Sequence, residues 1–91
     1  MNYSKYEALG QGVITEITPN GAKPPGWDWR LGFLGQTGDV YRRRVKPFLE
    51  LSFLRFEAGE LALETDYGEW SQEGKRITLL TPQTRYVILL D

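Results

Sequence analysis

The chain contains no cysteine and no histidine among its 91 residues. Without cysteine there are no disulfides, zinc–thiolate centres, iron–sulfur clusters or thiol nucleophiles. Without histidine the commonest general acid–base, the commonest metal ligand and the usual switch near neutral pH are all missing. Long apolar runs are missing too: the stretch Tyr86-Val87-Ile88-Leu89-Leu90 is far too short to span a membrane. The polar start Met1-Asn2-Tyr3-Ser4-Lys5-Tyr6-Glu7 has no apolar signal core behind it. With no disulfide staples in so short a chain, the expected setting is reducing and cytoplasmic. An excess of one charge is also absent, since the net charge is −1 and the pI about 5.4. An obligate binder of nucleic-acid backbone would carry a clear basic surplus.

What is present is β-strand pattern and turn chemistry. Hydrophobic residues make up 41% of the chain, ordinary for one globular domain, so residues 1–91 read as a single unit. Residues 1–8 are either a flexible lead or the run into the first strand. Leu9 to Ile17 is rich in β-branched residues, with Val13, Thr15 and Ile17 on one face and a bend or bulge at Gly10 and Gly12. Pro19-Asn20-Gly21 and Pro24-Pro25 make the following loop. Trp27-Asp28-Trp29-Arg30-Leu31-Gly32-Phe33 then places an apolar residue at every second position, the period of a strand with one buried face. The turn Gly35 to Asp39 would join this strand to Val40–Val45 as a hairpin.

Lys46-Pro47 interrupts the pattern. In Phe48 to Phe56, Leu49, Leu51 and Phe53 share one face while Leu54 and Phe56 lie on the other, which calls for two covered faces or a bulge at Phe53-Leu54. Four further strands are expected at Glu60–Asp66, Glu69–Gln72, Lys75–Leu80 and Arg85–Leu90, separated by Gly- and Pro-containing turns. The last is apolar in both phases, so it belongs inside the sheet or at a barrel closure. The fold class is therefore all-β: a small antiparallel barrel or rolled sheet of six to eight short strands. The expected core is Val13, Ile17, Trp29, Leu31, Phe33, Leu51, Phe53, Leu61, Leu63, Trp70, Ile77, Leu79, Tyr86 and Ile88.

Gly68-Glu69-Trp70, Gly74 and Ile77-Thr78-Leu79 resemble the meander of small lipocalin-like barrels over about a quarter of the chain. Gly12 to Ile17 could equally open an SH3-like or OB-like barrel. The resemblance to lipocalins implies a carrier of a small ligand, although eight ligand-enclosing strands usually run longer than these.

Charge is segregated. From Arg30 to Arg55 six bases (Arg30, Arg42, Arg43, Arg44, Lys46, Arg55) face two acids (Asp39, Glu50), a net of +4. From Phe56 to Gly74 there are six acids and no base, a net of −6. Either adjacent strands of opposite charge pair across the sheet, or two electrostatic faces orient the molecule on a charged partner. The run Arg42-Arg43-Arg44 suits a charge-protected edge strand or a contact patch. Glu60, Glu64, Asp66 and Glu69 lack the glycine-centred spacing of a calcium loop and read as a solvated face. Gly10-Gln11-Gly12 precedes a strand and not a helix, so it is no phosphate loop.

No nucleophile–base pair, metal-ligand set or cofactor motif emerges, so no catalytic residue, metal or cofactor is assigned. The expectation is a non-enzymatic protein-interaction module, such as an accessory subunit, assembly factor or inhibitor docking on a larger complex. Its contact set would be Trp27, Asp28, Arg30, Tyr41, Arg42 and Arg44. The alternatives are single-stranded nucleic-acid binding on an OB- or SH3-like barrel and a lipocalin-like carrier.

Overall fold

In the computed structural model, which describes residues 6–45 and 50–91, a single antiparallel sheet curls round and closes on itself. The strands are β1 (Glu7–Pro19), β2 (Thr37–Arg44), β3 (Leu51–Ala58), β4 (Leu61–Glu64), β5 (Gly68–Glu73), β6 (Arg76–Leu80) and β7 (Thr84–Leu90). The order β2-β1-β7-β6-β5-β3 becomes a six-strand barrel because β2 also pairs with β3, from Asp39↔Glu57 to Arg44↔Ser52. Closure removes the open edges that a small sheet would otherwise expose. Among the described residues β4 is the one strand outside the ring, pairing with β3 from Arg55↔Glu64 to Ala58↔Leu61. β5 takes over along β3 at Ser52↔Gly68 and Leu51↔Glu69.

The all-β expectation holds, and β7 does lie inside the sheet, between β1 and β6. The register of β1 shifts between Ala8 and Gly10, where Gly10 has φ 102°, and again between Ile14 and Glu16. The second shift corrects the expected phase. An extra residue at Thr15 lets both Ile14 and Ile17 point inward, whereas strict alternation put Ile14 outside with Val13 inside. β3 needs no bulge: Ser52, Leu54, Phe56 and Ala58 face in, while Leu51, Phe53, Arg55 and Glu57 are half-buried on the outside. Phe48, Leu49 and the Lys46-Pro47 break lie outside the described residues.

Between β1 and β2 the chain does not form a strand. Trp27–Phe33 is a two-turn 3-10 helix, so the expected hairpin with Val40–Val45 is corrected to helix, turn, strand. Gly26, at φ 75°, turns the chain into it, and the Trp27 amide donates to the Pro24 carbonyl at 3.2 Å. Leu34 N donates to Leu31 O and Gln36 N to Phe33 O, continuing three-residue bonding out of the helix. Gly35 N then donates to Ile14 O at 2.8 Å, tying the segment to β1. At Gly38 the strands come close enough that a methyl group would collide with the Glu57 carbonyl and the Phe56 ring.

The core is Ile14, Ile17, Val40, Leu54, Phe56, Ala58, Leu63, Trp70, Ile77, Leu79, Tyr86 and Ile88 from the strands, with Trp27 and Phe33 from the helix. Of the expected core, Trp29, Leu31 and Leu61 are exposed, and Val13, Leu51 and Phe53 only half-buried. No helix among the described residues is long and apolar enough to cross a membrane.

Candidate functional site

The 3-10 helix crosses one end of the barrel, from β7 to β3. The indole Nε1 of Trp27 donates to Thr84 Oγ1 at 2.8 Å, and the Phe33 ring meets Phe56 edge-on at 6.3 Å between centroids. A 3-10 helix repeats every three residues, so positions 27, 30 and 33 line its inner face. Trp27 and Phe33 are accordingly buried at 3% and 6% exposure, with the half-buried Arg30 between them. The Arg30 guanidinium donates to Trp27 O at 2.6 Å and lies near the Tyr86 phenol, while among the described residues its buried Nε has no partner. Burial pushes the Tyr86 phenol above its usual pKa, an effect that Arg30 and Thr84 partly offset.

Away from the core the same helix exposes Trp29, at 55%, on one flank and Leu31, at 39%, on the other, with Leu34, at 45%, just beyond its end. Trp29 is not loose. Its ring packs edge-on against Phe33 at 6.4 Å, and Arg30 stacks over it at 4.8 Å. Asp28 is exposed and pairs with Lys23 at 3.1 Å. The result is an apolar knob held from beneath by the core and flanked by one acid and two bases.

The six expected contact residues do not form one surface. Asp28 and Arg30 flank the knob, but Trp27 is an interior residue, which corrects its place in the contact set. Arg42 is interior as well, at 6% exposure. Its Nε donates to Ser52 Oγ at 2.7 Å, its guanidinium lies 4.5 Å over the Trp70 ring, and Glu50 approaches at 3.4 Å. Burial and the neighbouring Arg44 lower its pKa. The sequence put Arg42 and Arg44 on one face, and they do share strand parity; the barrel encloses the first and leaves the second exposed at the end of β2. β2 is flanked by β1 and β3, so it is not the edge strand its arginines suggested. Tyr41 is half-buried on the barrel's outer wall, in a groove with Tyr6, Arg55 and Glu57, and the Glu57 carboxylate raises its phenol's pKa.

Two arrangements were not foreseen. One is a row across the outer wall: Tyr6, Arg43, Phe53 and Tyr67, with Arg43 at 5.6 Å from the first ring and 4.4 Å from the second, and the two rings of Phe53 and Tyr67 6.2 Å apart. Residues at this spacing are separated by ten or more positions in sequence, so only the pairing of the strands could reveal them. The other is Trp29 itself, which strand periodicity assigned to the core. The two charge blocks meet in part as ion pairs: Arg55 binds Glu57, two residues along β3, at 2.7 Å, and Glu64 across on β4. Among the described residues no group of acids is placed to hold a metal ion. No family model matches the chain, and no curated protein or solved structure is significantly similar to it.

Proposed function

We propose that the chain is a non-enzymatic protein-interaction module that docks on a larger protein or complex through its cap helix. The observation that carries this reading is the exposure of Trp29 and Leu31 on the helix, and of Leu34 just beyond it, while the row 27–30–33 is locked into the core. A large aromatic ring held rigid in the unbound state loses little entropy on binding, and such residues dominate interface energetics. Asp28 and Arg30 supply the polar rim.

The test compares wild type with Trp29→Ala and with Asp28→Lys. Partner capture from the native cell, followed by reconstitution with the purified partner, should weaken at least about tenfold for Trp29→Ala, the scale of a hot-spot truncation. The melting temperature should fall by far less than it does when the buried Trp27 is truncated, so the variant stays folded. Full capture by the Trp29 variant sinks the reading.

One observation favours a second reading. The Tyr6–Arg43–Phe53–Tyr67 row is the kind of aromatic and guanidinium surface on which unpaired bases stack. The net charge of −1 and the neutralisation of Arg55 by Glu57 and Glu64 weigh against it. Fluorescence anisotropy with a single-stranded oligonucleotide at low salt separates the two; a flat titration removes nucleic acid. For a lipocalin-like carrier, Leu54, Phe56, Leu63 and Leu79 occupy the interior where a ligand would sit.

A further inference from the structure

We infer that the outward edge of β4 is a strand-addition site for an extended, basic segment of a partner protein. β4 pairs with β3 on one side, and among the described residues nothing pairs with it on the other. Thr65 N donates to Leu54 O at 3.0 Å, which fixes the phase of the ladder. In an antiparallel pair the bonded positions then recur at every second residue, at Phe56↔Leu63 and Ala58↔Leu61. The intervening residues, Ala62 and Glu64, turn their N–H and C=O groups away from β3. Both are exposed, and so is Leu61, at 59%. Among the described residues every other strand is paired on both sides over at least part of its length, whereas β4 has a neighbour on one side only.

Charge selects the occupant. The segment 56–74 holds six acids and no base, and Arg55, the arginine that reaches β4 from β3, is already shared between Glu57 and Glu64. Glu60, exposed in the β3–β4 turn, and Asp66, exposed just after β4, have no ion-pair partner among the described residues. A second copy laid antiparallel along β4 would bring the Glu60 of each chain opposite the Glu64 of the other, and like charges placed directly opposite are destabilising. An incoming strand with lysine or arginine at alternate positions gains both main-chain bonds and complementary charge. This goes beyond the cap-helix reading, using other residues and another mode of contact, and rests on it only in making the chain a binder of protein.

The probe is a capped hexapeptide of alternating lysine and valine, titrated into the isotope-labelled full chain and followed by amide NMR shifts. Saturable shifts centred on residues 61–67 and their β3 neighbours are expected. Methylating the peptide's lysine backbone nitrogens, which face β4 when the lysines lie opposite Glu60 and Glu64, should weaken binding about three- to tenfold, the worth of a lost hydrogen bond. Ala62→Pro should do the same from the protein side, since it removes an outward N–H and no β3–β4 bond. A glutamate–valine peptide should not bind. The inference is overturned by any of three results: no shift at millimolar peptide, equal binding of the methylated peptide, or concentration-dependent pairing of β4 with its own copy. The methylated peptide decides the matter even if Ala62→Pro disturbs the fold. Trp29→Ala should leave peptide binding unchanged, so loss of capture and loss of peptide binding can be told apart.

Discussion

The cap helix and the β6 strand begin from the same pattern and end as different structures. In Arg76–Leu80 the apolar residues Ile77 and Leu79 alternate with Arg76, Thr78 and Leu80, and burial follows them. In Trp27–Phe33 the alternation is longer and more apolar, yet only its first and last aromatic residues are buried. The difference lies in where the backbone finds its partners. β6 is paired along its length by β5 on one side and β7 on the other. The 27–33 segment has no such neighbour and satisfies its amides locally, with bonds reaching back three residues from Trp27, Leu34 and Gln36. A period of two becomes a strand only where another strand is there to receive it.

The sharpest way to break this comparison is to exchange the tryptophans' roles. Trp27→Ala should cost about 3–5 kcal/mol, since it empties a core position and leaves the buried Thr84 hydroxyl without its indole donor. Trp29→Ala should cost less than about 1.5 kcal/mol, the worth of an edge-on aromatic contact. A strand with the expected face would give the reverse order. Denaturant unfolding of the two variants decides it.

Much of the fold was legible because most strands obey this rule. Leu63, Trp70, Ile77, Leu79, Tyr86 and Ile88 are buried as their alternation implied, and the glycine and proline turns between them fall where turn chemistry put them. The misreadings have local causes. One extra residue at Thr15 swapped the inner face of β1. β3 is half-covered outside, where Arg43 and Tyr67 pack on Phe53, so apolar residues appeared in both phases. At the candidate site, the Pro24-Pro25-Gly26 entry and Gly32 were the available signals against a strand, and the 27–30–33 repeat was written in the sequence beneath the 27–29–31–33 one. Arg42 could not be placed from composition, since a buried arginine becomes tolerable only when Ser52 and the Trp70 face are already positioned around it.

Glycines sharpen the same contrast with opposite signs. Gly38→Ala in β2 forces a methyl group against the Glu57 backbone and should destabilise by about 1–3 kcal/mol, as overpacking does. Gly32→Ala on the cap helix meets nothing within 4 Å and has no left-handed φ. It should stabilise by about 0.4–1 kcal/mol by restricting the unfolded chain. Thermal melts of the pair give a fall for one and a rise for the other.

Neighbouring arginines on β2 make a smaller test of enclosure. Arg42→Ala removes a buried hydrogen bond to Ser52 and the cover of Trp70, at a cost of about 1–3 kcal/mol. Glu50, its ion-pair partner, is three-quarters exposed and returns to water, which keeps the loss below that of a fully buried pair. Arg44→Ala, at the exposed end of the strand, should stay within about 0.5 kcal/mol. Equal effects would mean that both side chains are solvated.

The smallest effect appears only in alkali and reports on the joint between cap and barrel. Tyr86 is 2% exposed, and burial raises its pKa in the folded chain above the 10.0 of a free phenol. Its neutral form is therefore favoured by folding. The stability this contributes is fully present below pH 10, because both states are then protonated at Tyr86, and it is lost as pH rises through the folded pKa. The Arg30 guanidinium works the other way, favouring the phenolate and shrinking the shift. Replacing Arg30 with methionine should consequently push the Tyr86 titration higher and steepen the alkaline loss of stability, whereas Tyr86→Phe should remove that part of the pH dependence altogether. Phenolate absorbance and melting curves between pH 9 and 12 measure both; an unshifted titration in the Arg30 variant would mean that the cap does not hold Tyr86 through its guanidinium.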